Sequence, residues 1–241
     1  MDSPVIIPLD GMDRAEALRT ASHLSDLAWG FKVNDQLIQE GAKIVYDLKR
    51  LTGARIFADP KLHDIPNTVR NSVRVLRDAG ADLITVHASG GIEMMQAAAE
   101  EMPDGILAVT VLTSLHDDEE NGNNEIRHIY GKSLRQTVRE MALDAAGAGV
   151  RGIVSSAQEL DVLNEEPLKK LLKVTPGIRP EWYQVADDQA RTMTPREALE
   201  QGADLLVIGR PILRADDPLK ALQRTLQECA EVLSARAQPA V

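Results

Sequence analysis

The stretch FADPKLHDIPNTV, residues 57–69, sets Asp59, Lys61, His63 and Asp64 within six positions, directly after an apolar run. An ammonium held among carboxylates has clear chemical uses. Burial alone drives a lysine to shed its proton, because desolvation disfavours the charged form, and flanking carboxylates reverse that preference. A cation fixed in this way stabilises negative charge developing on a bound molecule and carries a proton to donate. In isolation, however, Asp and Lys at i and i+2 beyond a strand also describe an ordinary solvated turn. The place of the stretch in the fold decides between the two.

Eight short runs rich in Val, Ile and Leu recur along the chain: VIIPLD (5–10), WGFKV (29–33), RIFAD (55–59), LITVHA (83–88), ILAVTVLT (106–113), GIVSSA (152–157), LLKVTPGI (171–178) and LLVIGR (205–210). Such continuous apolar runs read as strands buried on both faces, and the segments between them carry apolar residues at helical spacing. Glycines just before several strands, at positions 41, 53, 80, 149 and 202, suit the left-handed position that closes a helix. Eight strand-helix units in 241 residues predict an α/β protein of the (β/α)8 TIM-barrel class, as a single domain over residues 1–241. The rival, a doubly wound open sheet, lacks its G-x-G-x-x-G after the first strand. In a barrel the C-terminal strand ends carry the active site. Asp10, Lys32, Asp59, Lys61, His87, Thr113, Arg179 and Arg210 all fall at or just past such an end. The charged stretch is therefore expected in the middle of a catalytic mouth.

A formal net charge of −10 argues against a nucleic-acid partner, since phosphate-backbone binding rests on clustered Lys and Arg. The single cysteine, Cys229, excludes an intramolecular disulfide and an all-cysteine metal site, and it suits a reducing compartment. No window approaches 18 consecutive apolar residues, and the N-terminus lacks a basic start followed by an apolar run, so a cytoplasmic protein with no membrane partner is expected. The polar window LHDDEENGNNEIRH, 115–128, reads as a surface loop.

Further short motifs follow one another in order at successive strand ends: PLD (8–10), FKV (31–33), TVHASGG (85–91), LTS (112–114), TPGIRP (175–180), DDQARTMTP (187–195) and VIGRP (207–211). Together with the D-x-K-x-x-D core at 59–64, they resemble the orotidine 5′-monophosphate decarboxylase family over nearly the whole chain. The resemblance implies removal of CO2 from C6 of orotidine 5′-monophosphate to give uridine 5′-monophosphate, the last step of UMP synthesis, with no metal and no cofactor. It also implies that Lys32, Asp59, Lys61 and Asp64 form an alternating Lys-Asp-Lys-Asp array, with Lys61 meeting the C6 carbanion and protonating it. In the family the second aspartate of the core, here Asp64, reaches into a partner's site, so the resemblance implies a homodimer with shared sites.

The same resemblance distributes the substrate contacts. Asp10 and Lys32 would hold the ribose, joined by Thr68 from the partner subunit. Thr113 would address the pyrimidine edge. Gly209 and Arg210 would bind phosphate, as backbone N–H groups and a guanidinium fork suit its oxygens. The long connection GIRPEWYQVADDQARTMTP reads as a lid, in which Gln189 would bridge phosphate and pyrimidine. Arg179 at its base either anchors the loop or meets the ligand; Trp182 and Tyr183 are open between lid packing and surface. His63 and His87 are read as packing or structural groups, with no second His or Cys at ligand spacing. One position departs from the family: Asn34 stands where a glycine is common, which the tolerance of Asn for left-handed backbone would accommodate; alternatively, Asp35 caps the next helix. A related barrel type, the Mg²⁺-dependent 3-keto-gulonate 6-phosphate decarboxylases and hexulose-phosphate synthases, shares the D-x-K-x-x-D core, but HDIPNTV and the DDQ loop favour the nucleotide enzyme.

Overall fold

The computed structural model describes residues 3–115, 117–118, 123–183 and 192–237. Eight parallel strands close into a barrel in chain order: β1 (Val5–Pro8), β2 (Gly30–Val33), β3 (Arg55–Leu62), β4 (Leu83–His87), β5 (Ile106–Val109), β6 (Gly152–Val154), β7 (Leu172–Thr175) and β8 (Leu205–Val207), with β8 pairing back onto β1. Around them run α1 (Arg14–Leu24), α2 (Asp35–Glu40), α3 (Lys43–Thr52), α4 (Pro66–Asp78), α5 (Ile92–Glu101), α6 (Glu125–Tyr130), α7 (Leu134–Gly147), α8 (Pro195–Glu200), α9 (Arg210–Leu213) and α10 (Pro218–Ala237). The connection after β6 holds a 3₁₀ turn at Ala157–Leu163 instead of an α-helix. All eight expected strands are present, and the five expected helix-closing glycines have φ between 61° and 105°.

Side-chain parity explains how this frame positions a site. Successive residues on a strand point to opposite faces. Ile6, Phe57, Leu83, Leu107, Val174, Leu205 and Val207 form one buried cluster, the filling of the barrel. Their strand neighbours, among them Ile7, Ile56, Ala58, Ile84 and Leu206, belong to the larger core beneath the helices. Counting on by two from the inner set reaches Pro8 and Asp10, Asp59, Thr85 and His87, and Gly209. Lys32 lies between Phe31 and Val33, both in the outer core, so it too faces inward. The polar residues are thus the next layer of the same inward rows.

The helices have the matching stripe. In α4, Pro66 opens the first turn, where its missing N–H costs nothing, and Val69, Val73 and Leu76 bury one face at i, i+4 and i+7.

Two expectations need correcting. Residues 115–128 are not simply loop: Asp117–Asp118 pairs with Asn123–Asn124, and α6 begins at Glu125, closed by Gly131 at φ 72°. The third strand does not stop at Asp59 but runs through the charged stretch to Leu62, because its pairing with β4 resumes at Leu62–Val86 after an irregularity.

Candidate active site

The C-terminal strand ends enclose a cavity of about 400 Å³ lined by Pro8, Asp10, Lys32, Phe57, Asp59, Lys61, Thr113, Val154, Pro176, Gly177, Arg179, Val207, Gly209, Arg210 and Leu213. Four charged groups in it form a chain of alternating sign. Lys32 Nζ donates to Asp10 Oδ2 at 2.6 Å and stands 3.2 Å from Asp59 Oδ2, which accepts from Lys61 Nζ at 2.7 Å. Asp59 and Lys32 are 5% and 8% exposed, whereas a third of the Lys61 side chain is open. The array is therefore braced in the wall and ends in an accessible ammonium. Burial opposes the charge on Lys32, but Asp59 and Asp10 together outweigh it and hold its pKa above the ordinary lysine value.

Backbone geometry aims this array. Between the paired residues Ala58–Ile84 and Leu62–Val86, β3 inserts Asp59, Pro60 and Lys61 opposite the single residue Thr85. Such a bulge bends the strand and re-aims its side chains. Lys61 has φ 49°, the one positive value at a non-glycine among the described residues, a conformation that costs an L-residue roughly 1–2 kcal/mol. Strain of this kind persists where surrounding contacts impose it.

The neighbouring loops are tied to the same wall. Gln36 Nε2 donates to the Leu9 carbonyl and to that of Met12 at 3.2 Å, and Asp35 Oδ2 accepts from Gly11 N at 3.0 Å, which fixes the exit of β1 on both sides of Asp10. Asn34 departs from expectation. Its φ is −124°, not left-handed, and its side chain caps nothing; instead Nδ2 donates to the Asp59 carbonyl at 2.6 Å. Asp35 is the first residue of α2, not its N-cap, because its carboxylate is engaged by Gly11. Gln36 and Thr85, and the side-chain role of Asn34, were missed in the sequence. Only Thr85 carried a usable signal, its place in the inward row between Leu83 and His87.

Opposite the charged array, Gly209 precedes α9 and Arg210 opens it. A Cβ at Gly209 would come 2.8 Å from Pro8 Cγ, so only glycine lets the eighth strand exit lie against the first. Arg179 lines the cavity, while its Nη1 donates to the Ile178 carbonyl at 2.9 Å and its guanidinium lies 5.9 Å from the Tyr183 ring. The two ends of the long loop meet, with Arg179 N donating to Met193 O at 2.9 Å. Trp182 packs under Arg224 of α10, 5.2 Å from its ring. Gln189 and the middle of this loop, 184–191, lie outside the described residues.

Asp64 and Thr68 are not brought to the cavity of their own chain. Both are exposed, and Asp64 Oδ1 accepts from Ile65 N at 2.6 Å. Ile65, next to Asp64 in the chain, is 67% exposed, and Ile38, Ile92 and Leu112, which follow strands β2, β4 and β5, are 88%, 46% and 38% exposed. His63 and His87 approach each other, ring centroids 5.6 Å apart. Burial, then His63 and Lys61, push the His87 pKa down against the opposing pull of Asp59. Among the described residues no group of three His, Cys, Asp or Glu side chains is placed to hold a metal, and no helix is long and apolar enough to cross a membrane.

Comparison with known proteins agrees with this geometry. Over 226 residues the chain is 45% identical to an orotidine 5′-phosphate decarboxylase of Dichelobacter nodosus, covering 91% of this chain and 96% of that protein. It is 41% identical over 227 residues to the enzyme of the same name from Streptococcus agalactiae, with 92% and 95% covered. The crystal structure of orotidine 5′-phosphate decarboxylase from Lactobacillus acidophilus superposes with a TM-score of 0.76 at 34% identity, over 94% of this chain and 99% of that one. The family model described as orotidine 5′-phosphate decarboxylase / HUMPS matches residues 3–225, and the chain belongs to that family.

Proposed function

We propose that this protein decarboxylates orotidine 5′-monophosphate to uridine 5′-monophosphate without metal or cofactor, and that the charge chain Asp10–Lys32–Asp59–Lys61 carries the chemistry. Breaking the bond from C6 to the carboxylate leaves an electron pair in the plane of the pyrimidine, where no adjacent π-system spreads it. The ammonium of Lys61, fixed by Asp59, offsets that charge as it grows, which is where preorganised electrostatics is most effective. The same ammonium then gives its proton to C6, and CO2 departs. Asp59 would lie near the substrate carboxylate, and repulsion there contributes secondarily. Asp10 and Lys32 hold the ribose, Thr113 the pyrimidine edge, and Gly209 with Arg210 the phosphate; Gln189 would bridge phosphate and pyrimidine, with Arg179 at the base of its loop.

The proposal extends to a homodimer in which Asp64 and Thr68 complete the partner's site. Supporting it, both residues are exposed, and Ile65, the neighbour of Asp64, is a large apolar side chain left 67% open that a second copy would cover. The reading also places the enzyme in the cytoplasm, working free of nucleic acid and membranes. The names of the relatives favour the nucleotide over a sugar phosphate, whereas the description of the family model spans both.

After exhaustive treatment with EDTA, loss of orotate absorbance from orotidine 5′-monophosphate should proceed at the untreated rate. Activity that vanished and returned with Mg²⁺ would favour the sugar-phosphate alternative. For the dimer, Lys61→Ala and Asp64→Asn proteins, each nearly inactive, should regain roughly a quarter of wild-type activity when unfolded and refolded together, since half the dimers are mixed and half the sites in those are intact. No recovery, with subunit exchange demonstrated on wild-type protein, would place Asp64 in its own subunit.

A further inference from the structure

The insertion in β3 leaves a local deficit of backbone partners. Pro60 has no N–H, and the amide of Lys61 faces β4 where three residues oppose one. That amide donates to the side chain of Thr85, Oγ1, at 2.9 Å. The hydroxyl retains one proton of its own, and Asp59 Oδ1 lies 2.8 Å away to accept it. One buried oxygen thus touches the backbone of Lys61 and the carboxylate of Asp59 at once. The other oxygen of that carboxylate, Oδ2, faces both ammonium groups. Thr85 is fully buried and does not line the cavity. Its β-branched side chain has little rotational freedom, and the Asn34 bond to the Asp59 carbonyl steadies the bulge from the opposite neighbour, β2.

We infer that Thr85 is a positioning residue of the decarboxylation site: its hydroxyl holds Lys61 in the left-handed backbone and turns Asp59 so that Oδ2 meets both lysines. The inference rests on the roles proposed above for Lys61 and Asp59. A side chain of equal shape without the hydroxyl fills the bulge but releases both residues, and displacement of a catalytic group by about 1 Å can cost on the order of 10²-fold in rate.

Thr85→Val, Thr85→Ser and Lys61→Ala should be compared for kcat, KM and affinity for uridine 5′-monophosphate. Thr85→Val should lose kcat by about 10²-fold, with KM and nucleotide affinity within about threefold of wild type, because the phosphate and ribose contacts lie on other strands; Thr85→Ser should recover most of the lost kcat. A Thr85→Val enzyme with kcat within about twofold of wild type, beside an inactive Lys61→Ala enzyme, would overturn this inference alone. Full activity in Lys61→Ala would overturn the underlying assignment and this one with it. Equal losses in Val and Ser variants, spread over kcat and KM, would reduce Thr85 to a packing residue. If Thr85→Val does not fold, amide exchange in the wild-type protein decides: the Lys61 N–H should be protected, and exchange at the rate of an unstructured peptide would overturn the assignment.

Discussion

The two ends of this barrel hold cavities of nearly equal size, about 400 Å³ at the C-terminal mouth and about 420 Å³ at the N-terminal end, and both are rich in charge. The charges do different things. At the N-terminal end Asp82 accepts from the Ile56 amide at 2.7 Å and from Lys49 Nζ at 2.8 Å, Asp204 accepts from the Lys173 amide at 2.8 Å, and Arg55 lies over the Trp29 ring. These groups complete ladders that would otherwise begin with unpaired amides, which is a contribution to stability. At the mouth the carboxylates and ammonium groups face each other across the cavity wall, and a side-chain hydroxyl supplies what the bulged backbone lacks. Residue types alone do not separate the two clusters. What separates them is whether a charge is committed to the backbone or left facing other charges in an open cavity.

That contrast breaks most sharply at Lys61. Lys61→Ala should reduce kcat by at least about 10³-fold, the scale of lost transition-state electrostatics, while thermal unfolding stays close to wild type and nucleotide binding remains measurable by calorimetry. A modest kcat loss with a lower Tm would make the mouth resemble the other end. Arg210→Ala should come next: affinity for phosphorylated ligands should fall about 10- to 100-fold, as for a lost charged hydrogen bond, and that for the free nucleoside by less than about threefold. Equal weakening of both would make Arg210 structural.

Asp82→Ala tests the opposite end. Leaving the Ile56 amide and Lys49 without their acceptor should cost about 1–3 kcal/mol of stability, or about 2–4 °C of Tm for each kcal/mol in a chain of this size, with kcat per folded molecule unchanged. A selective kcat loss would contradict the division of labour. The smallest effect concerns His87, whose pKa is lowered by burial, then by His63 and Lys61, against Asp59. Because the folded state binds this proton more weakly than the unfolded chain, stability is fully present above the ordinary histidine value near 6.5 and declines as pH falls below it. His87→Gln should flatten that acid slope in urea titrations; an unchanged slope would remove His87 as its source.

The eight strands were legible because strands buried on both faces leave uninterrupted apolar runs, and the glycine helix ends because the left-handed turn selects for them. The extension of β3 to Leu62 was not, since the bulged residues are polar and their pairing depends on β4, 24 positions away at Thr85. For the same reason Thr85 read as one more strand residue in LITVHA. Asn34 misled in the other direction: the glycine comparison pointed to its backbone, whereas its role lies in a side-chain bond to a strand not adjacent in sequence. Of the strand-end residues, Asp10, Lys32, Asp59, Lys61, Thr113, Arg179 and Arg210 line one cavity, joined by Gly209, whereas His87 does not line it. Asp64 and Thr68 are exposed and do not line it.

The close approach of Gly209 to Pro8 has a consequence for synthesis on the ribosome. The cavity lies across the seam where the last strand joins the first, with Asp10 on one side and Arg210 on the other. A nascent chain that ends before Leu205 already carries both lysines and both carboxylates of the array but has neither Gly209 and Arg210 nor a closed wall. Because this pairing joins residues some two hundred positions apart, it belongs to the slowest class of contacts to form. Completion of the cavity therefore waits on completion of the circle, and any ligand that bound only across the closed seam would favour the closed state over an open precursor.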